Sequence, residues 1–204
     1  MKRYPQISSQ IRKDQRYYAF GKYDGSNIRA EWSKKRGFYK FGTRKRMLDE
    51  TDPMFGESKL LILDKYTDDI TRIMKALRYD RGIFFFEYWS ENSFGGFHPD
   101  EEHTVTLIDV NIHRKGILPP KEFIGCFGEL DIASMLYHGN TNEAFLSSVR
   151  NGTLEGMPFE GVVCKAKSRK RTPLPVMFKI KNQAWYKKLR ELCGKDEKLY
   201  EELK

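Results

Sequence analysis

The run Ile83-Phe84-Phe85-Phe86-Glu87-Tyr88-Trp89 constrains this chain more than any other stretch. It reads as a strand with apolar residues on both faces, so a sheet containing it must be covered on both sides. One residue breaks the pattern. Glu87 sits between two aromatics, where a carboxylate costs several kcal/mol unless it is paired or metal-bound. The milder alternative, a Glu on the exposed face of an edge strand, fits poorly beside three phenylalanines.

A second polar intrusion is the stretch Lys22-Tyr23-Asp24-Gly25-Ser26-Asn27, which places an amine, a carboxylate, a glycine and two small polar groups on a turn. Phe20 precedes it, and the alternating run Ile28-Arg29-Ala30-Glu31-Trp32 after it reads as a strand. Lysine shifts its pKa readily when desolvated or set beside other cations, so Lys22 is a candidate nucleophile. The same six residues would also serve as an ordinary surface turn. Two further strands repeat the theme. In Glu160-Gly161-Val162-Val163-Cys164-Lys165, period-2 alternation puts Glu160, Val162 and Cys164 on one face and Gly161, Val163 and Lys165 on the other. In Phe178-Lys179-Ile180-Lys181, both lysines share a face. Two cations aimed the same way repel unless an anion lies between them, although lysines guarding a solvated edge strand are common. An amine, carboxylates able to hold Mg²⁺ and several cations are the equipment of phosphoryl or nucleotidyl transfer.

The rest of the chain reads as α+β with a largely antiparallel sheet. Residues 1–16 form a polar leader with room for one short helix. Residues 17–47 are strands, with Gly37 and Gly42 as turn punctuation. From Tyr66, the residues Ile70, Ile73, Met74 and Leu77 make a helical stripe, with Asp68 and Asp69 in its first turn and Arg81-Gly82 at its end. Residues 90–102 are a loop, and His103 to Val110 is a strand. A helix starts at Asn140-Thr141-Asn142-Glu143, buries Ala144, Phe145, Leu146 and Val149, and stops at Gly152. Phe159 to Lys165 and Val176 to Ile180 are strands, and a short helical tail begins at about 182 with Trp185, Leu189, Leu192 and Leu199 on its apolar side. No internal repeat or linker divides residues 1–204, which read as a single domain.

The net charge of +9 points to a polyanionic partner, most simply nucleic acid. It gathers in Lys34-Lys35-Arg36, Arg44-Lys45-Arg46 and the stretch from Lys167 through Arg171. No apolar run reaches the roughly 20 residues a membrane span needs, and no secretory signal core follows Met1. Cys126, Cys164 and Cys193 form no CxxC pair, which points to free thiols in a reducing, cytoplasmic setting. His98, His103, His113 and His138 fall at no metal-binding spacing. P-loop and kinase glycine motifs are absent.

Taken in order, K-x-D-G at Lys22, an arginine after a strand at Arg44, an apolar strand ending in Glu87, E-G-x-V-x-K from Glu160 to Lys165, and K-x-K at Lys179 and Lys181 resemble the motifs of the covalent nucleotidyltransferases. That superfamily holds ATP-dependent DNA ligases, RNA ligases and mRNA capping enzymes. The resemblance spans residues 22 to 181. It implies an ATP-grasp-like nucleotidyltransferase domain of mainly antiparallel sheets flanked by helices. It implies that Lys22 attacks the α-phosphate of ATP to become lysyl-AMP, that Arg44 contacts ribose or phosphate, and that Glu87 holds the ribose. Glu160, with Glu87, would bind Mg²⁺ or Mn²⁺, and Lys179 and Lys181 would steady the phosphates and share in catalysis. Asp24, Gly25, Asn27 and Lys165 join the nucleotide-binding set as members of the same motifs. Lys22 must be neutral to attack. Burial, Lys179, Lys181 and a divalent metal are expected to lower its pKa from about 10.4.

Asn27, at the fifth residue after Lys22, is similar to RNA ligases, whereas DNA ligases and capping enzymes usually carry arginine there. The chain after Lys181 leaves no room for the OB-fold domain that carries a sixth motif in those enzymes, and RNA ligases lack that motif. The resemblance thus implies an ATP-dependent RNA ligase acting on RNA ends, with DNA or an RNA–DNA hybrid as alternatives. A minimal DNA ligase, a guanylyltransferase and a non-catalytic nucleic-acid-binding module of the same fold remain open. Two departures concern the base. The strand that ends F-D in many ligases is Val105-Thr106-Leu107-Ile108-Asp109-Val110 here, and Gly21 replaces the glutamate that often precedes the nucleophile. The short tail also implies that the core alone, or a partner protein, holds the substrate.

Overall fold

The computed structural model describes residues 1–49, 51–168 and 174–204. Alternation in β1 (Arg16–Lys22) sends Tyr17 and Ala19 to one side and Phe20 and Lys22 to the other. A three-residue turn then leads into β2 (Ser26–Ser33), β3 (Gly37–Thr43) and the short β4 (Met47–Leu48). The long helix α1 (Gly56–Ala76) precedes β5 (Arg81–Trp89), β6 (Thr104–Ile112) and β7 (Gly116–Ile117). Then come α2 (Pro120–Phe127), β8 (Met135–Asn140), α3 (Glu143–Arg150), β9 (Gly161–Ala166) and β10 (Val176–Lys181). The helices α4 (Gln183–Cys193) and α5 (Glu197–Leu203) complete the chain.

The strands form two antiparallel sheets, a four-stranded one ordered β10-β9-β1-β8 and a six-stranded one ordered β4-β3-β2-β5-β6-β7. The apolar strand β5 is central, which removes the edge-strand alternative for Glu87. That residue is paired with Asn27 on one side and Thr106 on the other. One face of β5 sends Phe84, Phe86 and Tyr88 into the main core, against Ile62, Tyr66, Ile70 and Met74 of α1 and Phe123 and Phe127 of α2. The opposite face carries Phe85, Glu87 and Trp89. A second core lies between the four-stranded sheet and Phe145, Leu146 and Val149 of α3.

Several expectations are corrected. Among the described residues, 1–15 contain no helix. The segment is extended, Ser8 bridges to Phe178, and the Lys179 N–H donates to the Ser8 carbonyl at 2.8 Å. Helix α1 begins at Gly56 rather than near Tyr66, because the continuous run Leu60-Leu61-Ile62-Leu63 hides the 3.6-residue period. Asp68 and Asp69 therefore lie in mid-helix. Arg81-Gly82 opens β5, since the helix ends at Ala76. Gly42 lies inside β3 rather than at a turn. Ala144 and Leu192 are exposed, and Cys193 takes the buried place expected of Leu192. Helix α2 and strand β8 had no sequence signal that singled them out. Of the basic clusters, Lys167 is described and exposed, while residues 169–171 fall outside the described residues.

Candidate active site

The K-x-D-G turn is where the chain crosses between sheets: Lys22 is the last residue of β1 and Ser26 the first of β2. Gly25 presses flat on β5. A Cβ there would sit 2.3 Å from the Tyr88 carbonyl oxygen and 2.7 Å from Trp89 Cβ, so only glycine fits. Asp24 clasps two other elements. Its carboxylate accepts from the Gly95 N–H at 3.1 Å and from the Trp185 indole N–H at 2.6 Å. The turn is thereby held by the 90–102 loop and by α4.

Between the two sheets lies a cavity of about 460 Å³, within the range typical of small-molecule sites, roughly 300–1,000 Å³. Lys22, Asp24, Gly25, Asn27, Arg44, Glu87, Glu160, Lys165, Lys179 and Lys181 all line it. At its centre, Glu160 holds two lysines, Lys22 Nζ on Oε2 at 2.7 Å and Lys181 Nζ on Oε1 at 2.6 Å. Lys181 also lies 3.4 Å from the centroid of the Trp185 ring, a cation–π contact. Lys179 donates to the Lys204 carbonyl at 2.9 Å, and the end of α5 forms part of the cavity mouth beside it.

Glu160 reaches this centre by breaking the expected alternation. Gly161 has φ +136, a conformation that L side chains rarely adopt, and a Cβ there would lie 2.2 Å from the Ile180 carbonyl oxygen. Glu160 thus lies just outside β9 and shares the cavity with Val163 and Lys165, not the core face with Val162 and Cys164.

The electrostatics also correct one expectation. Burial opposes charge on Lys22, but Glu160, Glu87 and Asp24 outweigh it and hold the amine above its ordinary value. The depressed lysines are its neighbours. Burial brings Lys181 down to about 8 despite Glu160, and burial, assisted by Lys22, lowers Lys179. Burial likewise lifts Glu87 to about 7, against the pull of Lys22, and raises Asp24.

Among the described residues no group of three His, Cys, Asp or Glu side chains could hold a metal ion by itself. Both Glu160 oxygens face ammonium groups, and the other candidate, Glu87, stands on the central strand. Two carboxylates fit a Mg²⁺-like ion that takes most of its ligands from water and phosphate, rather than a metal caged by protein alone.

Lys165 spends its charge inside the protein. Its ammonium donates to Asp109 and to the Ile108 carbonyl, both at 2.8 Å, and Asp109 also accepts from the Tyr4 hydroxyl. Tyr4, Asp109 and Trp185 were not picked out as site residues from the sequence. Asp109 carried a signal, being an acid in an apolar strand. Tyr4 carried none, because the extended leader has no period to place it.

No protein-family model matches the chain, and no curated protein matches it. Solved structures do, and they place the fold, which is similar to that of RNA ligase structures. These are structures of the Naegleria gruberi RNA ligase. A lysine variant with ATP and Mn is 16% identical, with a TM-score of 0.66 over 92% of this chain and 58% of that one. A glutamate variant with AMP and Mn gives 16% and 0.67 over the same shares. The form with PPi gives 16% and 0.67 over 94% of this chain and 58% of that one. The chain thus spans 58% of the length of these structures. Among the described residues no helix is long and apolar enough to cross a membrane.

Proposed function

We propose that this chain carries the adenylyltransferase chemistry of an ATP-dependent RNA ligase. The observation that carries the reading is the convergence of the five motifs: residues from Lys22 to Lys181 line one cavity, with Glu160 bridging Lys22 and Lys181. The shared fold adds support, as do the ATP, AMP, Mn and PPi of the Naegleria structures.

Lys22 attacks the α-phosphorus of ATP. A P–N bond forms, the bond to pyrophosphate breaks, and the amine loses its proton. In the resting site that amine is held charged, and in place of a lowered pKa the site offers a specific proton acceptor. Glu160 is in hydrogen-bond contact with Nζ and is placed to take the proton. Lys181 and Lys179 draw the phosphates, and their low pKa values reflect burial of like charges that an anion relieves. Glu87 and Asn27, paired across β5 and β2, hold the ribose, and Arg44 closes on ribose or phosphate from the end of β3. A divalent cation, Mg²⁺ or Mn²⁺, held by Glu160 and Glu87 together with the phosphates, would neutralise charge on the transferring group. AMP then passes to a 5′-phosphate end, and a 3′-OH displaces it to join the strands. Asn27, where DNA ligases usually carry arginine, is the sequence feature that favours an RNA ligase over a DNA ligase.

Incubation with α-labelled ATP and Mg²⁺ tests the first step. The expected result is acid-labile label on the protein, lost in Lys22→Ala. No label, or label retained by Lys22→Ala, overturns the reading. Sealing of nicks with RNA or DNA at the 3′-OH side separates the RNA ligase from a minimal DNA ligase. Glu160→Ala and Lys179→Ala are expected to abolish sealing.

A further inference from the structure

Tyr4 and Lys165, two lining residues of the cavity, join Asp109 in a polar network with no task in the chemistry above. Tyr4 reaches it from the extended N-terminal segment. It is 6% exposed, and its ring packs on Phe85 with centroids 4.9 Å apart. Its hydroxyl donates to Asp109, which is 1% exposed and ion-paired with Lys165 at 2.8 Å. Ile108, Val163 and Phe20 supply apolar wall beside these groups. Three buried polar side chains are a costly way to close a cavity that apolar residues could close.

On the face of β5 that carries Glu87, Glu87 lines the cavity, and Phe85, two residues along, packs beneath Tyr4, which also lines it. With the phosphates at Lys22, Glu160 and Lys181 and the ribose at Glu87, the wall left for the nucleobase is that of Phe20, Ile108, Val163 and Tyr4. The hydrogen-bonding sense at that wall is fixed. The Asp109 carboxylate only accepts. The Tyr4 proton is therefore committed to it, and burial together with Asp109 keeps the phenol protonated well above its usual range. What Tyr4 can offer a ligand is the lone pairs of its oxygen.

We propose that Tyr4 Oη reads the nucleobase, accepting a hydrogen bond from the exocyclic amine of adenine and thereby selecting ATP over GTP. Guanine presents a carbonyl at the same ring position, so two acceptors would face each other. This inference rests on the reading of the cavity as the nucleotide site. It gives the N-terminal segment a part in substrate choice, and it supplies a base contact where the strand carrying Ile108 lacks an aromatic.

The test compares labelling of the protein by ATP, GTP and purine riboside triphosphate, which lacks the amine. The wild type is expected to favour ATP over purine riboside triphosphate by roughly five- to tenfold, the worth of one hydrogen bond, and to favour ATP over GTP by more. Tyr4→Phe keeps the ring on Phe85 and removes the acceptor. It should label equally with ATP and purine riboside triphosphate, a loss of base discrimination that a purely structural clasp would not produce. Equal labelling of the wild type by these two nucleotides overturns the inference without any variant. An unchanged ratio in Tyr4→Phe overturns it as well. In both cases labelling itself persists, so the adenylyltransferase reading stands. Absence of label with every nucleotide overturns both.

Discussion

Glu160→Gln isolates the electrostatic centre from everything else in the site. The carboxylate is 4% exposed and bridges Lys181, 3% exposed, and Lys22, 21% exposed, at 2.6 and 2.7 Å. The amide has nearly the same shape, so packing is kept and the charge is lost. Two cations then share a buried space with their bridging anion gone. Removing one partner of a buried pair costs about 3–5 kcal/mol, and the partial exposure of Lys22 places the expected loss toward the lower half of that range. The pH dependence is the sharper signature. In the wild type the Lys22 shift is upward, so its contribution is present below the ordinary lysine value of 10.5 and is lost as pH rises past the folded value. In the variant, burial acts on Lys22 unopposed by Glu160, and Lys181 falls further below 10.5. Stability is then regained as pH rises between the depressed values and 10.5. The gap between the two proteins should therefore narrow from pH 7 to pH 10. Urea unfolding at both pH values measures it, with tryptophan fluorescence as the signal. A loss under about 1 kcal/mol at pH 7, or the same loss at pH 10, would refute the picture of two lysines held by one anion.

Glu87 titrates near 7 in the fold against 4.5 ordinarily, so the wild type should lose stability as pH rises between those values, by up to about 3 kcal/mol. Glu87→Gln should be flat across that window and more stable than the wild type at pH 8; parallel curves in urea would count against a desolvated Glu87. Gly25→Ala drives a methyl group into the β5 backbone and should cost at least about 2–3 kcal/mol, and an unchanged melting temperature would show that the turn does not press on that strand as described. Cys164 is fully buried with its thiol pushed up to about 12, while Cys126 is half-buried. A thiol reagent at pH 8 should therefore modify Cys126 first and reach Cys164 only on unfolding, as peptide mapping would reveal.

The elements with a clean period were legible in the sequence. β5 announces itself through consecutive aromatics, and the stripe ending at Met74 marks α1, although Leu60 to Leu63 concealed its first turns. Lys22, Glu87, Glu160, Lys179 and Lys181 could be named because each is a polar group in an apolar or turn context, the other five because they belong to the motifs the chain resembles, and the structure brings all ten to one cavity. What alternation could not supply was Glu160. A strand pattern projected backward assigns it to the wrong face, because nothing local says that Gly161 takes a backbone conformation closed to other residues.

Which residues are out of place in apolar surroundings, and the strand periods that carry most of them, can be read along the chain, since both depend on neighbours a few positions away. The charge relations come from the folded arrangement. Glu160 lies far along the chain from Lys22, yet its contact turns an amine expected to be depressed into one that is held charged, while burial depresses Lys181 despite the same carboxylate. The same holds for Tyr4, which acquires a place only once Phe85, Asp109 and Lys165 surround it. Coulombic and hydrogen-bond energies depend on distance in space and on exclusion of water, and neither is written in the spacing of residues along a chain.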